Sequence, residues 1–284
     1  MNFVQQLLAA ERLNDSLLCV GLDPEPNKFP GAWKGDASRI FDFCTQIVDA
    51  TKDLVIAFKP QIAYFAAHGA EDQLERLMAH IKRVAPNVPV ILDAKRGDIG
   101  STAEQYAREA FVRYQADAVT LSPFMGFDTI EPYLRYPDKG AIVLCRTSNP
   151  GGSDLQNQRL ADLPGQPLLY EHVAALAQNE WNQKNGQLCL VVGATFPGEI
   201  ARVRELAPTL PILIPGIGAQ GGDAEATVKA GWRADAAGNT TGPIIVSSSR
   251  AVLYASAGDD FAAAARRVAQ QTRDTLNAAK PARR

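Results

Sequence analysis

Eight short apolar runs recur along the chain, each followed by turn residues and then, in most cases, a stretch with helical spacing. They are LLCVGLD (17–23), LVIAFKP (54–60), VPVILDAK (88–95), ADAVTLSP (116–123), GAIVLCRTS (140–148), QLCLVVGAT (187–195), LPILIPGIG (210–218) and GPIIVSSSR (242–250). Continuous apolar runs of this length, rich in Val, Ile and Leu, describe strands buried on both faces. Such strands belong to parallel sheets covered by helices. Helical spacing fills the intervals at 37–52, 69–84, 101–114, 168–184, 198–206 and 222–231. Eight such units in 284 residues predict one α/β domain over 1–284, a (β/α)8 TIM barrel. An open doubly wound sheet is the alternative, but no G-x-G-x-x-G follows the first run.

The segments outside this rhythm are few. MNFVQQLLAAERLNDS at the start spaces Phe3, Leu7 and Leu8 as an amphipathic helix, not as a secretory signal with a basic start and an apolar core. Residues 149–167 and 231–242 are polar and predict extended loops after strands 5 and 7, the first of them partly mobile. The basic tail at 277–284 predicts a frayed end. No window reaches the roughly 20 apolar residues that cross a bilayer. Net charge is −2, with no block of one sign, so nucleic acid is not an expected partner. Cys19, Cys44, Cys145 and Cys189 stand far apart, which predicts reduced thiols, no disulfide framework and a cytoplasmic setting. His68, His80 and His172 show no metal-ligand spacing, so no metal is expected.

In a barrel the chemistry sits where strands end. Here the ends carry Asp23, Lys59, Asp93 with Lys95, Ser122, Thr147 with Ser148, Thr195, Pro215 and Arg250. Alternation along a strand puts Asp93 and Lys95 on one face, with Asp98 in the turn beyond. An ordinary surface ion pair would explain two of these charges. Three in a small volume, with Lys59 opening on the same mouth, call for another reason, because buried charge is costly unless paired. Aspartate neighbours keep Lys95 an ammonium. Such a lysine is a proton donor to a carbanion, beside a carboxylate placed to repel an anion. At the other side, PGIGAQGGD (215–223) and SSSR (247–250) follow strands 7 and 8, where barrels bind phosphate. Gln220 offers amide donors and Arg250 a planar fork.

Assembled, these motifs resemble the orotidine 5'-phosphate decarboxylase family over most of the chain. LDAKRGDIGST matches its D-x-K-x-x-D-I signature, and GLDPEPN near the start, FKP after the second strand and PGIGAQGGD…SSSR at the end complete the family's pattern in order. GLDP, SPFMG and CRTSNP resemble its larger bacterial branch. The resemblance implies decarboxylation of orotidine 5'-monophosphate to uridine 5'-monophosphate, with no metal and no organic cofactor. It implies Lys95 as proton donor to C6, Asp93 beside the substrate carboxylate, and Lys59 and Asp98 completing a charged tetrad. It implies Asp23 and Lys59 at the ribose, Ser148 at the pyrimidine, and Pro215, Gln220 and Arg250 at the phosphate. It further implies a homodimer in which Asp98, Ile99 and Thr102 reach the partner's site. Two rival readings are a metal-dependent sugar-phosphate aldolase, which would need an acidic ligand where Lys59 stands, and a non-catalytic nucleotide-binding barrel, which would not need two lysines and two aspartates.

Overall fold

β-Branched and leucine side chains set the strands, and the computed structural model describes residues 1–182, 186–217 and 223–281. The eight barrel strands are β1 (Leu18–Leu22), β2 (Ala57–Pro60), β3 (Ile91–Arg96), β4 (Ala118–Leu121), β5 (Gly140–Arg146), β6 (Leu188–Val192), β7 (Ile212–Pro215) and β8 (Ile244–Ser248). All pair in parallel, in the order β2-β1-β8-β7-β6-β5-β4-β3. Parallel bridges Phe58–Val90 and Gln61–Asp93 join β2 to β3 and close the ring. The predicted runs therefore hold as strands, each trimmed by turn residues at its ends. Two of the predicted helices, 101–114 and 168–184, finish in a wider π turn, at Glu109–Arg113 and Ala177–Trp181.

Inward-facing positions stack in layers. The floor layer takes one residue from every strand: Cys19, Ala57, Ile91, Ala118, Ile142, Cys189, Leu213 and Ile245. Phe3, Leu7 and Ala10 of the N-terminal helix Phe3–Asn14 pack onto that layer and plug the barrel from below. Asn2 starts this helix with a capping box to Gln5. The larger core lies outside the ring, between strands and helices.

Both extended loops are present, but neither matches its expected character. Residues 149–167 carry a helical turn, Gly152–Leu155, and a bridge between Arg159 and Leu168. Buried Arg146 ties the loop down through Ser153 and Gln156 and pairs with Glu199 at 2.9 Å. The 231–242 insertion forms a two-stranded ribbon, Arg233–Ala234 with Thr240–Gly242. Thr240 and Trp232 donate to Glu11 of the N-terminal helix, so the ribbon belongs to the floor and not to the mouth. The tail is not frayed through 280. The helix Phe261–Ala278 runs into it, Asn277 donates to the Asp15 carbonyl, and Lys280 lies 3.4 Å from Glu11 and over the Trp232 ring. Residues 282–284 fall outside the described residues.

Leu7 is fully buried against the floor. Leu7→Ala should lower the unfolding free energy by about 2–5 kcal/mol, read from the shift of the denaturant midpoint. A shift below about 1 kcal/mol would mean that the helix is not the barrel's plug.

Candidate active site

Two residues above the floor, the inward layer changes character. Gly21, Lys59, Asp93, Thr120 and Ser247 replace the apolar residues below them. Lys59 and Asp93 are buried there, at 5% and 7% exposure. Lys59 Nζ donates to Asp93 Oδ2 at 2.9 Å, and Lys95 Nζ donates to Asp93 Oδ1 at 2.6 Å. Each carboxylate oxygen thus faces its own ammonium. Burial works to neutralise Asp93, but the Lys59 and Lys95 charges outweigh it and hold the carboxyl well below the usual carboxylate range. Burial likewise opposes the Lys59 charge, and the Asp93 and Asp23 carboxylates outweigh it and hold the ammonium above the ordinary lysine range. The four cysteine thiols are buried, and burial pushes Cys19 and Cys145 up to about 12, which leaves them protonated and unreactive.

Lys95 does not reach Asp93 by strand alternation alone. Its φ is +48°, in the left-handed region, which costs a β-carbon residue about 1–2 kcal/mol. The pairing of β3 with β4 shifts register between Leu92 and Arg96, a bulge that re-aims the lysine. Its side chain is 47% exposed, so the ammonium stands open to the mouth while Asp93 beneath it is covered. Arg96 clamps the outer side of the bulge with a two-pronged contact to Glu109, at 2.9–3.1 Å, and lies over the Tyr106 ring.

Thr120 escaped the sequence reading. It is 1% exposed, and its hydroxyl lies 2.9 Å from Asp93 Oδ1. The signal was available: Thr120 is the polar member of the β4 run and shares the inward parity of Ala118.

The remaining candidates distribute around the rim. Asp23 follows β1, and its Oδ1 is buried with no hydrogen-bond partner among the described residues. Tyr254 braces this turn, donating to the Asp23 carbonyl and accepting from the Glu25 amide. Ser148 follows β5 and is half-buried. A β-carbon at Gly193 would sit 2.7 Å from its Cβ, so glycine there is what lets Ser148 come so close. Pro215 ends β7 beside Ser247 of β8, and Arg250 opens the short helix Arg250–Leu253 with its side chain exposed. Gln220 lies outside the described residues. Asp98 does not join the Lys59–Asp93–Lys95 chain of contacts: its carboxylate turns back to accept from the Ile99 amide at 2.8 Å. Ile99 is 58% exposed, and Thr102 is exposed on the first turn of the helix Gly100–Arg108. Among the described residues, no three His, Cys, Asp or Glu side chains converge as metal ligands, and no helix is long and apolar enough to cross a membrane.

Comparison with known proteins places the chain as a whole. Residues 16–268 match the model of the orotidine 5'-phosphate decarboxylase / HUMPS family. A Leptothrix cholodnii protein named orotidine 5'-phosphate decarboxylase is 82% identical over 284 residues, covering 100% of both chains. A Methylibium petroleiphilum protein of the same name is 79% identical over 280 residues, covering 99% of this chain and 100% of its own. The Leishmania donovani OMP decarboxylase structure superposes with a TM-score of 0.82 at 39% identity, over 98% of each chain.

The carboxylate between two ammoniums fixes a pH response. Asp93 has its pKa depressed on folding, so its stabilisation is complete above the unfolded carboxyl value of about 4 and is lost as pH falls below it. Lys59 is shifted upward, so its stabilisation is complete at neutral pH and is lost only above the ordinary lysine range. Asp93→Asn should cost about 3–5 kcal/mol at pH 7, since it strands a buried ammonium, and should flatten the acid limb of the stability profile. An acid limb as steep as the parent's would show that Asp93 is not the titrating group.

Proposed function

The chain belongs to the orotidine 5'-phosphate decarboxylase / HUMPS family, and on that premise we propose the reaction and its chemistry. The enzyme is a carboxy-lyase, EC 4.1.1.23, that converts orotidine 5'-monophosphate to uridine 5'-monophosphate in pyrimidine nucleotide synthesis. One observation carries the reading: Asp93 is held ionised between Lys59 and Lys95 at the mouth of the barrel, on the D-x-K-x-x-D signature. A substrate carboxylate set beside Asp93 is repelled by it, and departure of carbon dioxide relieves that repulsion. The C6–carboxylate bond breaks and its electron pair stays on C6. Lys95 faces that charge as a fixed cation, then gives C6 a proton and is reprotonated from solvent. Electrostatics arranged before the reaction are usually the largest contribution to such catalysis. These steps use side chains alone, with no metal and no organic cofactor.

The other roles rest on the family resemblance. Asp23, whose buried Oδ1 lacks a partner among the described residues, accepts from a ribose hydroxyl, with Lys59 beside it. Ser148 meets the pyrimidine, and Pro215, Gln220 and Arg250 take the phosphate. Phosphate binding far from C6 holds the charged network and the ring in register. Within one chain the network Lys59–Asp93–Lys95 carries one positive charge in excess. In a homodimer, the Asp98 carboxylate of the partner subunit supplies the missing negative charge, with Ile99 and Thr102 alongside. Phe124 and Met125, 80% and 45% exposed on the loop after β4, add apolar surface next to that edge. The cytoplasm, where thiols stay reduced, suits the four buried cysteines.

Orotidine 5'-monophosphate absorbance should fall with the enzyme present and EDTA added. A metal-dependent relative would lose turnover with the chelator. Lys95→Ala should lose at least about 10³-fold in kcat while its circular dichroism stays that of the parent. Near-normal turnover by that variant would sink the mechanism. For the shared site, mixing inactive Lys95→Ala with inactive Asp98→Ala chains should restore about a quarter of full activity, since half the dimers are mixed and each has one intact site. Mixtures that stay inactive after subunit exchange would show that Asp98 serves its own chain.

A further inference from the structure

The Thr120 hydroxyl makes three short contacts. It accepts from the Ala94 amide at 3.0 Å and from the Lys95 amide at 2.9 Å, and it reaches Asp93 Oδ1 at 2.9 Å. A hydroxyl has one proton and two lone pairs. Two amide donors occupy the lone pairs, so the proton is committed to Asp93. The hydroxyl is saturated, directional and buried on the inward face of β4.

Both things it grips are unusual. The Lys95 amide belongs to the residue held at φ +48°, and the Ala94 amide lies inside the same bulge. A β-bulge leaves backbone groups without a ladder partner. Inside this bulge both amides donate to the Thr120 hydroxyl. Asp93 Oδ1, in turn, is the oxygen that pairs with Lys95 Nζ. One side chain therefore fixes the lysine's backbone and the carboxylate against which its ammonium rests.

We propose that Thr120 is a positioning residue for the decarboxylation, holding the Lys95 ammonium and the Asp93 carboxylate in the geometry that C6 requires. This rests on the role given to Lys95 above. Thr120 touches no reacting atom. Its work is to keep a left-handed backbone from relaxing toward an ordinary strand, which would swing the ammonium away from the ring. Displacement of a reacting group by about an ångström costs on the order of 100-fold in rate.

The test compares Thr120→Val, which keeps the shape but loses the hydroxyl, with Thr120→Ser, which keeps the hydroxyl. Thr120→Val should lower kcat roughly 10- to 100-fold while its Kd for uridine 5'-monophosphate stays within about threefold. Exchange of the C6 proton of that bound nucleotide with heavy water, the reverse of proton donation, should slow in parallel. A loss of stability alone would not slow exchange in the folded fraction. Thr120→Ser should keep kcat within about threefold of the parent. If Thr120→Val does not fold, Thr120→Ser and Thr120→Ala carry the comparison, with only the serine variant active. Equal activity of Thr120→Ser and Thr120→Ala, or a Thr120→Val kcat within about threefold of the parent, overturns the proposal. Failure of the Lys95 role is a separate result, seen as turnover by Lys95→Ala.

Discussion

A single carboxylate, Asp93, organises the mouth of this barrel. It lies under 7% exposed surface, where an unpaired charge is costly, and it survives as a charge because each of its oxygens meets an ammonium. That arrangement constrains much else. Lys59 must come from β2, the strand that closes onto β3, so the ring must be complete for the pair to form. Lys95 comes from the same strand as Asp93, stands above it and must turn its ammonium back onto Oδ1. The bulge and the left-handed backbone meet that need. Thr120 and the Arg96–Glu109 fork meet the cost of the bulge from its two sides.

The strand rhythm was legible because it depends on local chemistry. Runs such as AIVLC and LCLVV can only be buried on both faces, and eight of them in this length leave few alternatives. Asp93, Lys59 and Lys95 were legible for a related reason: charge at the end of an apolar strand has few places to go. What the sequence did not display depends on three dimensions. The bulge at Lys95 is invisible in DAKRGD, since nothing in those letters forbids an ordinary strand. Thr120 reads as an unremarkable strand residue until β3 and β4 are paired. The ribbon at 231–242 reads as an extended polar loop after strand 7, yet the helix before it carries the chain down to the floor. The tail reads as frayed because its letters are basic and small, and it is held by acceptors more than 250 positions away.

The two ends of the barrel divide the labour. The floor layer is uniformly apolar or small, drawn from Cys, Ala, Ile and Leu, and its burial supplies stability. One layer higher, the inward positions of β2, β3, β4 and β8 carry Lys, Asp, Thr and Ser, while β5 and β6 keep Leu144 and Val191. Charge could not be held there without a rigid layer beneath it, and a site of that kind tolerates little movement.

The N-terminal helix has a consequence for how the protein is made. It docks on a surface to which all eight strands contribute, and its Glu11 is gripped by Trp232, Thr240 and Lys280 from the last fifth of the chain. A helix that precedes every strand therefore depends on the last of them for its place. Phe3 and Leu7 have a complete surface to cover them only once β8 stands between β1 and β7. A docked helix is in that sense the mark of a finished barrel.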